Sequence, residues 1–224
     1  MHGRGDECTD PMNRVRRVFD TIAPWYRLFD RFSLPLYQEL IGELQRHLPL
    51  TEHTRVLEVC CGTGFLSRML AELCGRVVAV DISPRMIETA KKYDTTGAVD
   101  FRVADARDPL SPDDGPFDLV IESLGLHALD PEIRTDIMRK MYRHSRGHVL
   151  FIEPTGKGSP LFRAINHLLE RLEGGYDNYR SFISLDLSEY LTGHGFIPRR
   201  LCLNQNERVA VYLCRVRRED EEAN

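Results

Sequence analysis

No two of the six cysteines, Cys8, Cys60, Cys61, Cys74, Cys202 and Cys214, stand at C-x-x-C spacing, so neither a thiolate zinc site nor a disulfide framework is expected. No apolar run approaches the roughly 20 residues needed to cross a bilayer. The polar start from Met1 to Pro11 lacks the apolar core of a signal peptide, which points to the reducing cytoplasm. Basic residues are not in excess: 30 Lys and Arg against 34 Asp and Glu give a formal charge of -4, which argues against a non-specific nucleic-acid binder. Repeats and low-complexity tracts are also missing. What is present is ordinary globular material, 42% hydrophobic and 29% charged over 224 residues, enough for one well-cored domain.

The ends, 1–12 and 217–224, carry little to bury and read as a disordered tail and a charged tail. Between them, 13–50 forms a helical preface and 51–216 the main domain. Val15, Val18, Phe19 and Ile22, and then Leu36, Leu40, Ile41 and Leu44, recur at helical spacing, with Pro24 and Pro35 expected to break the preface into two or three segments. The rhythm then changes to short strand-type runs alternating with helical stretches. Strands are predicted at 55–59, 77–80, 99–103, 117–121 and 148–152, and helices at 65–74, 84–93, 131–144, 161–172 and 185–194. Two last apolar runs, 197–203 and 208–215, are joined by Asn204, Gln205 and Asn206, a link that suits an antiparallel hairpin at a sheet edge. The expected fold is α/β: a doubly wound, mostly parallel seven-stranded sheet with an N-terminal helical lid and a C-terminal antiparallel hairpin.

Chemistry is concentrated where predicted strands end. The first βα turn, Glu58-Val59-Cys60-Cys61-Gly62-Thr63-Gly64, places two glycines where the chain must turn tightly and let a ligand approach the backbone. Two nucleotide-type ligands compete for such a loop. A pyrophosphate would be repelled by Glu58, whereas the ammonium and sulfonium of S-adenosylmethionine would be attracted. Ser67 also stands where a dinucleotide loop would have its third glycine. Asp81, with Ile82 beside it, follows the second strand and can accept both ribose hydroxyls. Asp105, after the third, can accept an adenine amine, with the backbone of Ala106 near the ring. Each acid alone could equally be a turn residue or a helix cap. Three at successive strand ends surround one crevice.

These motifs resemble those of class I S-adenosylmethionine methyltransferases, and more narrowly the menaquinone and ubiquinone C-methyltransferases. Similar pieces are Val18-Phe19-Asp20-Thr21-Ile22-Ala23-Pro24-Trp25-Tyr26, Ser123-Leu124-Gly125-Leu126-His127 and Val149-Leu150-Phe151-Ile152-Glu153-Pro154. The resemblance implies the Rossmann-like methyltransferase fold, S-adenosylmethionine as cofactor with S-adenosylhomocysteine as product, no metal, and a small, aromatic or apolar, quinone-like acceptor. The departures lie in the acceptor half. His127 stands where the family usually has Arg and Ala128 where it has Asn, and the family's later Phe-Pro pair is missing.

Methyl transfer from a sulfonium mainly requires that acceptor and methyl be held in line. A base for an acceptor proton is expected in His127, with Tyr26 as the second catalytic candidate. Packing roles are the alternatives for both. Glu122 and Ser123, at the mouth of the fourth strand, are expected to line the cofactor pocket. The preface mixes Trp25, Tyr26, Phe29, Phe32 and Tyr37 with Arg14, Arg16, Arg17, Arg27 and Arg31, a composition for a lid or a peripheral membrane contact. A homodimer is a further open alternative. The rival functions are N-, O- or S-methylation of another lipid-like or heterocyclic molecule, an NAD-linked oxidoreductase, and a non-catalytic S-adenosylmethionine-binding regulator.

Overall fold

The computed structural model describes residues 10–111, 114–173, 175–203 and 207–217, and omits the side chains of 27–32 and of a few positions between 162 and 173. Residues 1–9 of the expected tail 1–12, residues 218–224 of the expected tail 217–224, the Asn204–Asn206 link and the side chains of Arg27, Phe29, Arg31 and Phe32 lie outside the described residues, and residues 11 and 12 of the first tail belong to a helix.

In chain order the elements are α1 (Pro11–His47), β1 (Arg55–Val59), α2 (Phe65–Ala71), β2 (Arg76–Asp81), α3 (Pro84–Tyr93), β3 (Val99–Val103) and β4 (Phe117–Ser123). A 3₁₀ turn at Leu126–Ala128 leads to α4 (Pro131–His144), β5 (Ser145–Pro154), α5 (Pro160–Glu173), α6 (Tyr176–Ile183), α7 (Leu187–Gly193), β6 (Phe196–Leu201) and β7 (Val209–Val216). The strands form one seven-stranded sheet in the order β3-β2-β1-β4-β5-β7-β6. The first five are parallel, and β7 pairs antiparallel with both β5 and β6. Val59 lies level with Val80 on one side and with Glu122 on the other. Strand order reverses at β1, so the crevice beyond its carboxyl end is the place where such sheets take ligands.

Side chains alternate between the two faces of the sheet and build a core on each. Leu57, Val59, Val78, Val80, Val120 and Phe151 belong to one core, and Val56, Val77, Ala79, Leu119, Ile121 and Leu150 to the other. Helix α1 touches both. Met12, in its first turn, belongs to the first core, while Tyr37, Leu40, Ile41 and Leu44 belong to the second. At a rise of about 1.5 Å per residue the 37 residues are long enough to pass from one face of the sheet to the other across its end.

The break expected at Pro24 and Pro35 does not occur, because both prolines lie inside α1. A proline removes one helical hydrogen bond and costs about 3 kcal/mol in a helix interior. Both prolines are on the exposed side, where water can take the freed carbonyls, while Ala23, Leu40 and Leu44 on the other side are fully buried. Packing outweighs propensity here. The helix also starts earlier than expected: Asp10 accepts a hydrogen bond from the Met12 N–H at 3.0 Å, and Pro11 supplies a preset first turn. The short α6 was not anticipated from the sequence.

Candidate active site

The strand-to-helix loop after β1 runs with left-handed backbone at Cys60 (φ 57°), Gly62 (φ 54°) and Gly64 (φ 68°). At Gly64 a Cβ would stand 2.4 Å from the ring of Phe101, so no other residue fits without moving that ring. Cys60 adopts the same conformation with a side chain and carries the steric cost. Its thiol and Cβ lie against Gly125, where a Cβ would come within 2.9 Å of the Cys60 Cβ. The Cys61 N–H donates to the Val80 carbonyl at 3.0 Å, which ties the loop to the neighbouring strand. Thr63 is buried, and its carbonyl accepts from Arg68 at 2.6 Å.

The expected acids converge on this loop. Glu58 is buried and accepts from the Ser67 hydroxyl; burial pushes its carboxyl up to about 7. Ser67, read as the absent third glycine, is therefore the hydrogen-bond partner of Glu58. Asp81 accepts from the Gly62 N–H at 2.9 Å and from the Ser83 N–H at 2.8 Å, and burial raises its carboxyl to about 6. Ile82 is half-buried against the first core, and Ala106 is buried within it. The Asp105 carboxylate is held by Arg107 through Nε at 3.0 Å and Nη2 at 2.6 Å, so any adenine amine must share it with a guanidinium. Glu122 accepts from the N–H groups of Gly125 at 2.6 Å and Leu126 at 3.2 Å. Its other oxygen, Oε2, is buried without a hydrogen-bond partner. Burial and the neighbouring Glu153 carboxylate push Glu122 far above the usual carboxylate range. Ser123 pairs with the Tyr37 hydroxyl at 3.1 Å.

Helix α1 is tied to three of these strand ends. Beyond β3, Arg107 bridges Asp105 to Asp10, with Nη2 at 2.6 Å from each carboxylate. Beyond β2, the Ser83 hydroxyl donates to Asp20 at 2.6 Å, so Asp20 stands one hydrogen-bonded step from Asp81. At β4 the tie is the Tyr37–Ser123 pair. Tyr26 lies between these ties, its ring 3.7 Å from where a Cβ on Gly62 would be. Asp10, Asp20, Ser83 and Arg107 were not singled out from sequence. Asp10-Pro11 and Ser83-Pro84 do carry the cap-then-proline signal of a helix start.

His127 is placed differently from expectation. Its Nδ1 lies 2.7 Å from Glu153 Oε2 and its Nε2 3.3 Å from Glu170 Oε1, with all three side chains buried. Both ring nitrogens are occupied, and the two carboxylates, working against desolvation, raise the imidazole to about 10. A general base needs a free nitrogen in the neutral ring. The base role expected of His127 does not fit this geometry. Glu170 had no signal in the sequence, since a helical Glu reads by default as a solvated charge.

Beside the 3₁₀ turn a groove opens between α1 and the start of α6, lined by the apolar Val15, Val18, Phe19, Leu129 and Ile133, with Arg14, Asp130 and Asn178 at its polar side. Among the described residues no group of His, Cys, Asp and Glu could hold a metal, and no helix is long and apolar enough to cross a membrane.

Comparison with known proteins agrees with this geometry. Residues 56–147, from β1 to β5, match the methyltransferase domain family. A demethylmenaquinone methyltransferase of Lactiplantibacillus plantarum is 29% identical over 163 residues, 69% of this chain and 68% of that protein. A ubiquinone biosynthesis O-methyltransferase of Xanthomonas oryzae is 31% identical over 138 residues, 58% of this chain but only 56% of the relative's length. In structure the chain is similar to the DhpI–SAH complex, with a TM-score of 0.67 at 19% identity, covering 92% of this chain and 96% of that one. The chain thus carries a methyltransferase domain of the class I, S-adenosylmethionine-dependent type, and resembles the menaquinone and ubiquinone methylases.

Proposed function

We propose that this chain transfers a methyl group from S-adenosylmethionine to a small acceptor that is aromatic or apolar, in the manner of a quinone precursor. The observation that carries this reading is the convergence of buried Glu58, Asp81 and Glu122 on the loop 60–64, under a helix tied to three strand ends. These buried carboxylates fit a ligand that carries positive charge and hydroxyl donors, and they would oppose a pyrophosphate. Glu58 and the loop backbone at Gly62, Thr63 and Gly64 would hold the amino-acid end. Asp81 and Ile82 would hold the ribose, Asp105 and Ala106 the adenine, and Glu122 and Ser123 the reacting end. Bound there, S-adenosylmethionine supplies a methyl group on a cationic sulfur, already activated toward a nucleophile.

The residues of this chain supply position and shelter. Helix α1 would exclude water from the crevice, which Tyr26 and Tyr37 face from that helix. The groove beside Leu129 opens next to the turn that follows β4, and a nonpolar acceptor would enter there. The names of the relatives support a quinone-type acceptor, and methylation at C and at O both occur among them. Calorimetric titration with S-adenosylmethionine and S-adenosylhomocysteine should show binding of both and none of NAD. Incubation with labelled S-adenosylmethionine and a panel of hydroxylated naphthalene and benzene rings should transfer label. Binding without transfer to any ring, amine or thiol acceptor would favour a sensor.

A further inference from the structure

The ring of His127 stands where four elements meet. Glu153 reaches it from β5 and Glu170 from α5, Tyr179 and Phe182 of α6 lie edge-on at centroid distances of 5.9 and 6.5 Å, and Arg134 of α4 donates to its carbonyl at 3.5 Å. A neutral imidazole has one N–H and one lone pair, so with a carboxylate oxygen at each nitrogen it would set its lone pair against a negative charge. Only the imidazolium can donate to Glu153 from one nitrogen and present an N–H to Glu170 from the other.

The same network fixes the chain around it. Glu153 also accepts from the Leu126 N–H at 2.8 Å, and Arg134 donates to the carbonyls of Leu126 at 2.9 Å and Asn178 at 3.0 Å. The Gly175 N–H donates to the Glu170 carbonyl at 3.1 Å, and a Cβ on Gly175 would be 3.2 Å from the Ala128 carbonyl. Ala128, Leu129, Gly175 and Asn178 all line the groove together with α1, and they are joined to one another, since the Asn178 side chain donates to the Ala128 carbonyl at 3.3 Å.

We propose that His127 is a positioning residue rather than a base: a fixed cation whose bridge from Glu153 to Glu170 holds the start of α6 against the 3₁₀ turn and so builds the side of the groove that, with α1, admits the acceptor. This rests on reading the groove as the acceptor's route. His127 does the work of a permanent charge, as an Arg would. Beyond Glu153 stands Glu122, pushed well above the usual carboxylate range by burial and by that neighbour. The ordinary imidazole value is displaced upward to about 10, in agreement with the geometry.

The test needs no acceptor. Hydrogen exchange over 175–183 is compared among wild type, Glu170→Gln, His127→Gln and the double variant, and the His127 ring is titrated by NMR in the wild-type protein. The bridge predicts exchange about tenfold faster in either single variant, and no further gain in the double variant. It also predicts a ring that stays protonated to pH 9. S-adenosylmethionine should bind wild type and Glu170→Gln within about twofold of each other, since neither residue faces the cofactor loop. Unchanged exchange in Glu170→Gln, additive effects in the double variant, or a ring titrating near its ordinary value overturns the proposal. Failure of wild type to bind S-adenosylmethionine would instead overturn the reading of the crevice.

Discussion

At the scale of single residues the crevice is defined by carboxyl groups that hold protons more tightly than usual. Burial raises Glu58 to about 7, so the empty protein favours its neutral form. A group whose folded value lies above its unfolded one contributes stability that is complete below the ordinary carboxylate range and is lost as pH rises to the folded value. The free protein should therefore lose stability between about pH 4.5 and 7 on account of Glu58, while its affinity for cationic S-adenosylmethionine rises over the same window. Calorimetry in buffers of different ionisation enthalpy should show proton release on binding near pH 6.5, and about as much for S-adenosylhomocysteine as for S-adenosylmethionine, since both carry the ammonium that Glu58 would hold. Asp81 has two duties, since it accepts from Gly62 and Ser83 and faces the proposed ribose. Asp81→Ala should weaken cofactor binding by about ten- to a hundredfold and also lower the melting temperature. Cys60 makes the opposite case. Its left-handed backbone should be relieved in Cys60→Gly, with a gain of about 1 kcal/mol in denaturant unfolding, provided the lost side-chain contact with Gly125 costs less.

At the scale of elements the instructive one is α1. Its two ends pack on opposite faces of the sheet, and its middle crosses the crevice, so the halves should behave differently. Leu40→Ala or Leu44→Ala, at fully buried positions, should cost about 2 to 5 kcal/mol. The half from Pro11 to Tyr26 is held by polar ties at Asp10 and Asp20 and should open more readily. Cofactor should slow hydrogen exchange in this half and leave 37–47 unchanged. Equal exchange with and without cofactor in both halves would mark a static helix instead of a lid. Trp25, 69% exposed, stands on the outer face of the same helix, and its fluorescence would report a vesicle surface if the helix met one.

At the scale of the whole molecule, a ligand that binds only the folded state stabilises it by mass action, by about 2.7 kcal/mol at a hundred times its Kd. A rise in melting temperature with S-adenosylmethionine, and none with NAD, would show that the crevice takes the cation. The alternation of strand and helix signals made the doubly wound sheet legible in the sequence, because parallel strands buried on both faces must be continuously apolar and their crossovers must be helical. The strand ends were legible too, since Asp81 and Glu122 close continuous apolar runs, Glu58 sits just before the glycine turn, and Asp105 follows the alternating strand Val99–Val103. Local signals could not say whether α1 breaks at its prolines: that depends on what its other face buries, and the sheet provides it. Nor could they reveal the partners of Asp105 or His127. Arg107 two residues on, Asp10 at 97 residues' separation and Glu170 on a later helix meet only after folding. Sequence by itself determined the strands and most of the helices, though not α6, together with the kind of ligand the strand ends can take, because those follow from local periodicity and from the charge placed at strand ends. Only the tertiary structure decided the protonation of His127 and the path of α1, because a side chain's charge state and a helix's continuity depend on neighbours that the order of residues does not place.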